Sequence, residues 1–298
     1  MKRFFQNTLL FLLLFFLVDK LFYWKIEALP EQELDKRLEW ILEGKMNKDI
    51  LIFGSSRAQH GLYSDAIQDS LKRTTFNLGY RGCNIDFQLF LLKKVLKHNK
   101  KPKVIFLTID EDREFLPEKT LQFRYDKLYS LVKYQEITHE LVDRKDISPF
   151  AVVLYSARLG WEKFLKPKPI SKYENWTPGG TVLLDDTESD FDKIRKRNKN
   201  YNIDFELPER LAVFKEFQLI CQKEKIQLFV LIPPTFAEQN IEFVKRINSL
   251  LINQNDKVWN EHNDAFKKAD YFSDEAHLNK KGAVLYTNEI IKRLKKEL

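Results

Sequence analysis

Cysteine is nearly absent: the 298-residue chain has two, Cys83 and Cys221. Two thiols build neither a disulfide framework nor a cysteine metal site. No recognisable nucleic-acid-binding motif occurs, and no internal repeat. Net charge is +7 with a pI near 9.1, but the lysines are scattered among acidic residues. A basic balance of that kind names no partner by itself, so no nucleic acid is expected. Hydrophobic residues make up 44% and charged residues 31%, which excludes a disordered chain.

One long uncharged run is present. Lys2 and Arg3 precede Phe4–Val18, whose most apolar part is Leu9–Val18. Asp19 and Lys20 interrupt, and Leu21-Phe22-Tyr23-Trp24 resumes the apolar character. As a helix, Phe4–Trp24 would be about 31 Å long, enough to span a bilayer. No small-residue cleavage site follows closely, and aromatics crowd the distal end as at a membrane interface. An uncleaved anchor over 1–24 is the expectation. A cleaved signal peptide and a buried helix are its competitors. Basic residues before the run would leave the remainder outside the cytoplasm, periplasmic or at the cell surface.

Residues 25–48 read as a linker, with an amphipathic helix from Pro30 to Met46 that puts Leu34, Leu38, Ile41 and Leu42 on one face. Then strands and helices alternate. Strands are expected at Asp49–Phe53, Thr75–Leu78, Val104–Ile109 and Gln227–Ile232. Helices are expected at Ile85–His98, Leu207–Lys225 and from Gly282 to the C-terminus; Pro208 suits a first turn. The third strand is almost continuously apolar, as in a parallel sheet covered on both faces. The α/β alternation predicts an open parallel sheet within one domain, 49–298. Residues 115–205 break the alternation, with Pro167, Pro169 and the turn Pro178-Gly179-Gly180, and read as an insertion over one end of the sheet.

In such sheets, sites form beyond the carboxyl ends of the strands. Ser55 and Ser56 follow the first strand, Gly82 the second and Asp110 the third; His277 precedes the last helix. A serine after a strand is usually a helix N-cap. Asp274-Glu275-Ala276-His277 before a helix is weak alone. Together, in this order and at opposite ends of one domain, they are more specific.

These blocks resemble the SGNH/GDSL hydrolase superfamily. Gly54-Ser55-Ser56 is similar to its first block, with Ser55 in place of the usual aspartate and Ser56 at the nucleophile position. Asn77-Leu78-Gly79-Tyr80-Arg81-Gly82 resembles the second block, and Asp274–His277 the last. The resemblance implies a flavodoxin-like, three-layer open parallel sheet carrying the insertion and the N-terminal membrane helix. It implies a Ser56–His277–Asp274 triad, an oxyanion hole from the N–H groups of Ser56 and Gly82, and no metal or organic cofactor. Thr108-Ile109-Asp110-Glu111 departs from the third block, where an asparagine donates to the oxyanion; an ionised carboxylate cannot donate. Asn84 is a weak substitute. The altered block, the Gly-Ser-Ser form and the anchor resemble membrane-anchored relatives acting in cell-surface polymer acylation.

The implied activity is that of an extracytoplasmic serine esterase or O-acyltransferase working on acyl groups of cell-surface glycans. The alternatives are a non-catalytic module that binds a glycan or a multi-pass membrane acyltransferase, and a structural envelope protein. Arg57 is a candidate for an anionic substrate, or pairs with an acidic neighbour. His60 reads as a surface residue or one just behind the site.

Overall fold

Short β-branched and aromatic runs form the sheet. The structure, a computed structural model, describes residues 1–117, 119–158, 176–185, 201–253, 258–260 and 264–297. The strands are β1 (Ile50–Phe53), β2 (Thr75–Asn77), β3 (Val104–Thr108) and β4 (Gln227–Leu231). The helices in chain order are α1 (Lys2–Ala28), α2 (Arg37–Leu42), α3 (Ser56–Gly61), α4 (Ser64–Leu71), α5 (Ile85–His98), α6 (Gln135–Asp143), α7 (Pro208–Lys223), α8 (Ile241–Leu250) and α9 (Lys280–Glu297). Chain contacts group these residues into two units. One is Met1–Glu39 with Arg124–Tyr173, the other Trp40–Phe123 with Glu174–Leu298.

The second unit holds the sheet. All its pairings are parallel, in the order β2-β1-β3-β4. Parallel neighbours need a crossover between them, and helices supply it. Every residue of β1, β2 and β3 is buried, which explains the apolar runs of β1 and β3. Ile50, Ile52, Val104, Phe106, Phe229 and Leu231 pack in one cluster with Ile67 of α4 and Tyr286, Ile290 and Leu294 of α9. On the opposite face Phe53 meets Phe217 of α7 edge-on, ring centroids 5.7 Å apart, and α5 packs on α7. Helices therefore cover both faces in three layers, as expected. Each fully buried large apolar side chain contributes about 1.5–3 kcal/mol.

The first unit departs from expectation. The linker helix is confined to Arg37–Leu42, preceded by a short 3-10 turn at Pro30–Gln32. Asp35 sets its start: the carboxylate accepts from Arg37 N (3.2 Å), Nε (2.9 Å) and Nη2 (2.8 Å). Gly44, at φ +71°, follows its end. Within the 115–205 stretch, Arg124–Tyr173 groups with the N-terminal segment. Asp19 accepts from the N–H groups of Tyr155 (3.2 Å) and Ser156 (2.8 Å), and Tyr23 packs edge-on against Tyr155. Lys127 lies 3.7 Å from both Glu33 and Asp35. Pro167 and Pro169 lie outside the described residues.

The anchor expectation is also corrected. Among the described residues no helix is long and apolar enough to cross a membrane. The reason lies in α1. Asp19 is buried by its bonds to Tyr155 and Ser156, and Phe22 and Ile26 are buried as well. Lys20 sits over the Tyr155 ring. The distal part of the helix is thus committed to protein. Residues 4–18 form a rod of about 22 Å, shorter than a hydrocarbon core of about 30 Å. The large apolar side chains along that rod are exposed, from Phe4 to Val18.

The two cysteines are free and buried. Cys83 Sγ donates to Gly54 O at 3.1 Å, and burial pushes the Cys221 thiol up to about 12.

Candidate active site

β1 stops at Gly54 because nothing larger fits. A Cβ there would strike Thr108 Oγ1 on the neighbouring strand. Ser55 follows in extended conformation and caps α3: its Oγ accepts from Arg57 N at 3.3 Å. The same hydroxyl donates to Asp110 Oδ2. Ser56 is the first residue of α3.

A six-residue helix is too short to hold itself. Asn77, at the end of β2, holds it. Its Nδ2 donates to Ala58 O (2.8 Å) and Leu62 O (2.9 Å), and its Oδ1 accepts from Gly79 N (2.9 Å). Gly79 is needed because a Cβ would sit 2.6 Å from Gln59 N. Tyr80 N and Cys83 Sγ both donate to Gly54 O. Gly82, at φ +66°, lies in the turn between them. Its neighbours therefore tie it to the end of β1.

His277 reaches Ser56 from the loop before α9. Phe272 pairs with Leu278 as an isolated bridge, and Ser273 N donates to His277 O at 2.8 Å. Asn279 braces the loop, donating to Asp270 O (2.8 Å) and accepting from Gly282 N (3.0 Å). Phe236 N, beyond β4, donates to Glu275 O at 3.0 Å.

The result is a continuous chain of three side chains. His277 Nε2 is 2.7 Å from Ser56 Oγ. His277 Nδ1 is 2.8 Å from Asp274 Oδ2 and 2.9 Å from Oδ1. A carboxylate only accepts, so Nδ1 carries the proton and Nε2 accepts from the serine hydroxyl. Asp274 Oδ1 also accepts from the backbone N–H groups of Ala276 (2.8 Å) and His277 (2.9 Å). Burial pushes the Asp274 carboxyl up. The hydrogen bond and charge of His277 and the two backbone donors outweigh it and bring it down to about 2.

The third-block position is acidic and enclosed. Asp110 is 7% exposed, and its Oδ1 has no hydrogen-bond partner among the described residues. Glu114 is fully buried; Oε1 accepts from Ile85 N at 2.5 Å, and Oε2 has no such partner among the described residues. Burial, then the charge of Asp110, pushes the Glu114 carboxyl up to about 8. Asn84 accepts from Phe87 N and caps α5. Arg57 is buried within α3, not a surface cation.

Sequence reasoning left His60 either at the surface or just behind the site, and gave Glu114 no part in it. His60 is 3% exposed, its ring edge-on to His277 with centroids 5.6 Å apart. A signal existed: His60 is four residues beyond Ser56, on the same face of α3. Glu114 carried no comparable signal, because a charged residue in a loop normally faces water.

No protein-family model matches the chain, and no curated protein does. Among solved structures it is similar to a carbohydrate esterase whose active site is described as displaying divergent catalytic and non-catalytic binding functions. Identity is 10% and the TM-score 0.39, over 83% of this chain and 64% of that one. At that distance the likeness decides nothing about activity.

Proposed function

We propose that the chain is a serine esterase or O-acyltransferase acting on acyl groups of cell-surface glycans. The observation that carries the proposal is the Ser56–His277–Asp274 chain, with 2.7 Å at the serine and 2.8 Å at the aspartate. Ser56 Oγ attacks the acyl carbonyl while His277 Nε2 takes its proton. Asp274 holds the imidazole and stabilises the imidazolium. The N–H groups of Ser56 and Gly82 take the oxyanion. His277 then gives the proton to the leaving alkoxide, and the alkoxide departs as an alcohol. Water or a sugar hydroxyl, deprotonated by the same nitrogen, attacks the acyl-enzyme, and His277 returns that proton to Ser56 Oγ as it leaves.

The chain is held to a lipid surface through residues 4–18. Their exposed apolar side chains favour transfer out of water at about 25 cal/mol per Å². Turnover of p-nitrophenyl acetate by the full chain tests the chemistry. Activity that vanishes in Ser56→Ala and His277→Ala is expected; equal rates in all three would overturn it.

One observation favours a second reading. Asp110 puts a carboxylate where the resembled family has a donor, and losing one such donor costs about 10²–10³ in rate. A module that binds a glycan or a multi-pass membrane acyltransferase without turning over would tolerate that loss.

A further inference from the structure

The reading of Ser56 as nucleophile leaves one buried ring beside it without a role. His60 stands one turn along α3 from Ser56 and is 3% exposed. A polar ring is costly to bury unless its N–H is bonded. Val182 O, 2.8 Å from His60 Nδ1, takes that bond. A carbonyl only accepts, so Nδ1 of His60 is protonated and the ring's orientation is set.

Val182 is itself fixed. It belongs to residues 176–185, which cross α3 and reach the loop of His277. Val182 N donates to Gln59 O at 3.0 Å, and Thr181 Oγ1 donates to Leu62 O at 2.9 Å. Lys280 N donates to Leu184 O at 2.8 Å. Asn77 also donates to Leu62 O. The His60 ring is thus gripped from a rigid surround.

His277 is not gripped in the same way. Its hydrogen bonds lie at Nδ1 and Nε2, the two ends of the ring. Asp274, which makes one of them, has a side chain 56% exposed, and the His277 side chain is 24% exposed. The ring turns about its Cβ–Cγ bond, and a small turn there misaligns the hydrogen bonds at Nδ1 and Nε2 together. A ring packed beside it opposes that turn. The His60 ring meets it at 85° and 5.6 Å, the edge-to-face arrangement that aromatic rings favour.

We infer that His60 is a positioning residue for His277, a buried ring held by Val182 O that keeps the imidazole aligned between Asp274 and Ser56. The inference rests on the proposed acyl-transfer reading. It concerns orientation only: His60 neither touches the reacting atoms nor moves a proton.

Two substitutions separate the ring from its hydrogen bond. His60→Phe keeps a ring against His277 and gives up the donor to Val182 O. His60→Gln keeps a side-chain N–H for Val182 O and gives up the ring. The full chain is assayed with p-nitrophenyl acetate, and the His277 ring is followed by nitrogen-15 NMR. For His60→Gln we expect kcat to fall by about ten- to a hundredfold, the cost of a small misplacement. KM should stay within about twofold, because orientation acts on the transition state. The His277 ring signals should shift or broaden. His60→Phe, which keeps a ring but not its bond to Val182 O, should lose less kcat than His60→Gln and shift the His277 signals less. His60→Met, which fills the volume without a ring, replaces His60→Gln if the latter does not fold. A His60→Gln protein with parental kcat and signals would overturn the inference, as would His60→Phe losing as much as His60→Gln. If the parent turns over no faster than Ser56→Ala, the acyl-transfer reading fails on its own. The His277 signals then still decide whether His60 holds the ring.

Discussion

Ser55 Oγ donates to Asp110 Oδ2, and this bond joins the end of β1 to the end of β3. Phe53 pairs with Leu107 in the sheet, so the two strands end within one residue of each other. The resembled family carries a carboxylate at the first of these positions and a neutral amide at the second. Here the carboxylate stands at the second and a hydroxyl bonds it. Asp110→Asn keeps an acceptor for Ser55 and removes the negative charge. It should raise p-nitrophenyl acetate turnover by about ten- to a thousandfold, the range for one oxyanion donor. The gain should disappear when Ser56→Ala is added. No gain would mean that Asp110 does not act on the oxyanion.

Asp274→Asn keeps an acceptor for the N–H groups of Ala276 and His277 but presents an amide to Nδ1. The tautomer with a free Nε2 is no longer enforced. A kcat loss of about 10⁴ is expected, as for the same change in other triads. The depressed Asp274 carboxyl, at about 2, lies below its unfolded value of about 3.9. Its contribution to stability is fully present above about pH 4 and is lost as pH falls through about 2. Acid unfolding curves of the parent and Asp274→Asn should therefore converge at the lowest pH.

Glu114 acts with the opposite sign. Its folded value of about 8 lies above the unfolded value of about 4.3. Between the two, the folded protein keeps a proton that the unfolded chain releases. Stability therefore falls as pH rises over that window and levels off above about pH 8. Each pH unit crossed within it costs about 1.4 kcal/mol, so the loss amounts to a few kcal/mol. Glu114→Gln removes the titration. Urea midpoints at about pH 5 and pH 8 should differ less in Glu114→Gln than in the parent. An equal fall in both would place the pH dependence elsewhere.

Asn77 makes three hydrogen bonds, two of which hold α3 to the sheet. Asn77→Ala removes these bonds, while Leu62 O keeps Thr181 Oγ1 and Ala58 O keeps Leu62 N. The cost should be about 0.5–1.5 kcal/mol for each bond lost. Because α3 carries Ser56 and His60, kcat should fall more than thermal stability alone explains. Retained kcat in a destabilised Asn77→Ala would separate the helix anchor from the site.

Much of the sheet was legible because a buried parallel strand has a strong local signature. The apolar runs at Ile50–Phe53 and Val104–Thr108 announce themselves, and Pro208 marks the start of α7. The residues that meet at Ser56 were legible for a related reason: strand ends and pre-helix loops converge in this architecture. The first unit was not legible. It depends on Asp19 meeting Tyr155 and Ser156, a pairing across most of the first half of the chain that no local pattern encodes. The break in the linker helix was hidden likewise, since Asp35 and Arg37 read as ordinary surface charges until Arg37 is seen buried. His60 was half legible: its place just behind the site was one of two readings, and its burial against Val182 decides between them.

Covalent labelling of Ser56 with a fluorophosphonate tests the proposed nucleophile most directly. The reagent reacts only with a serine whose hydroxyl is activated, and the 2.7 Å contact to His277 Nε2 supplies that activation. The full chain is treated and the labelled peptide identified by mass spectrometry. One adduct is expected, on Ser56, absent in Ser56→Ala and strongly slowed in His277→Ala. No adduct on a folded protein, or an adduct on another serine, would contradict the assignment of Ser56 as nucleophile.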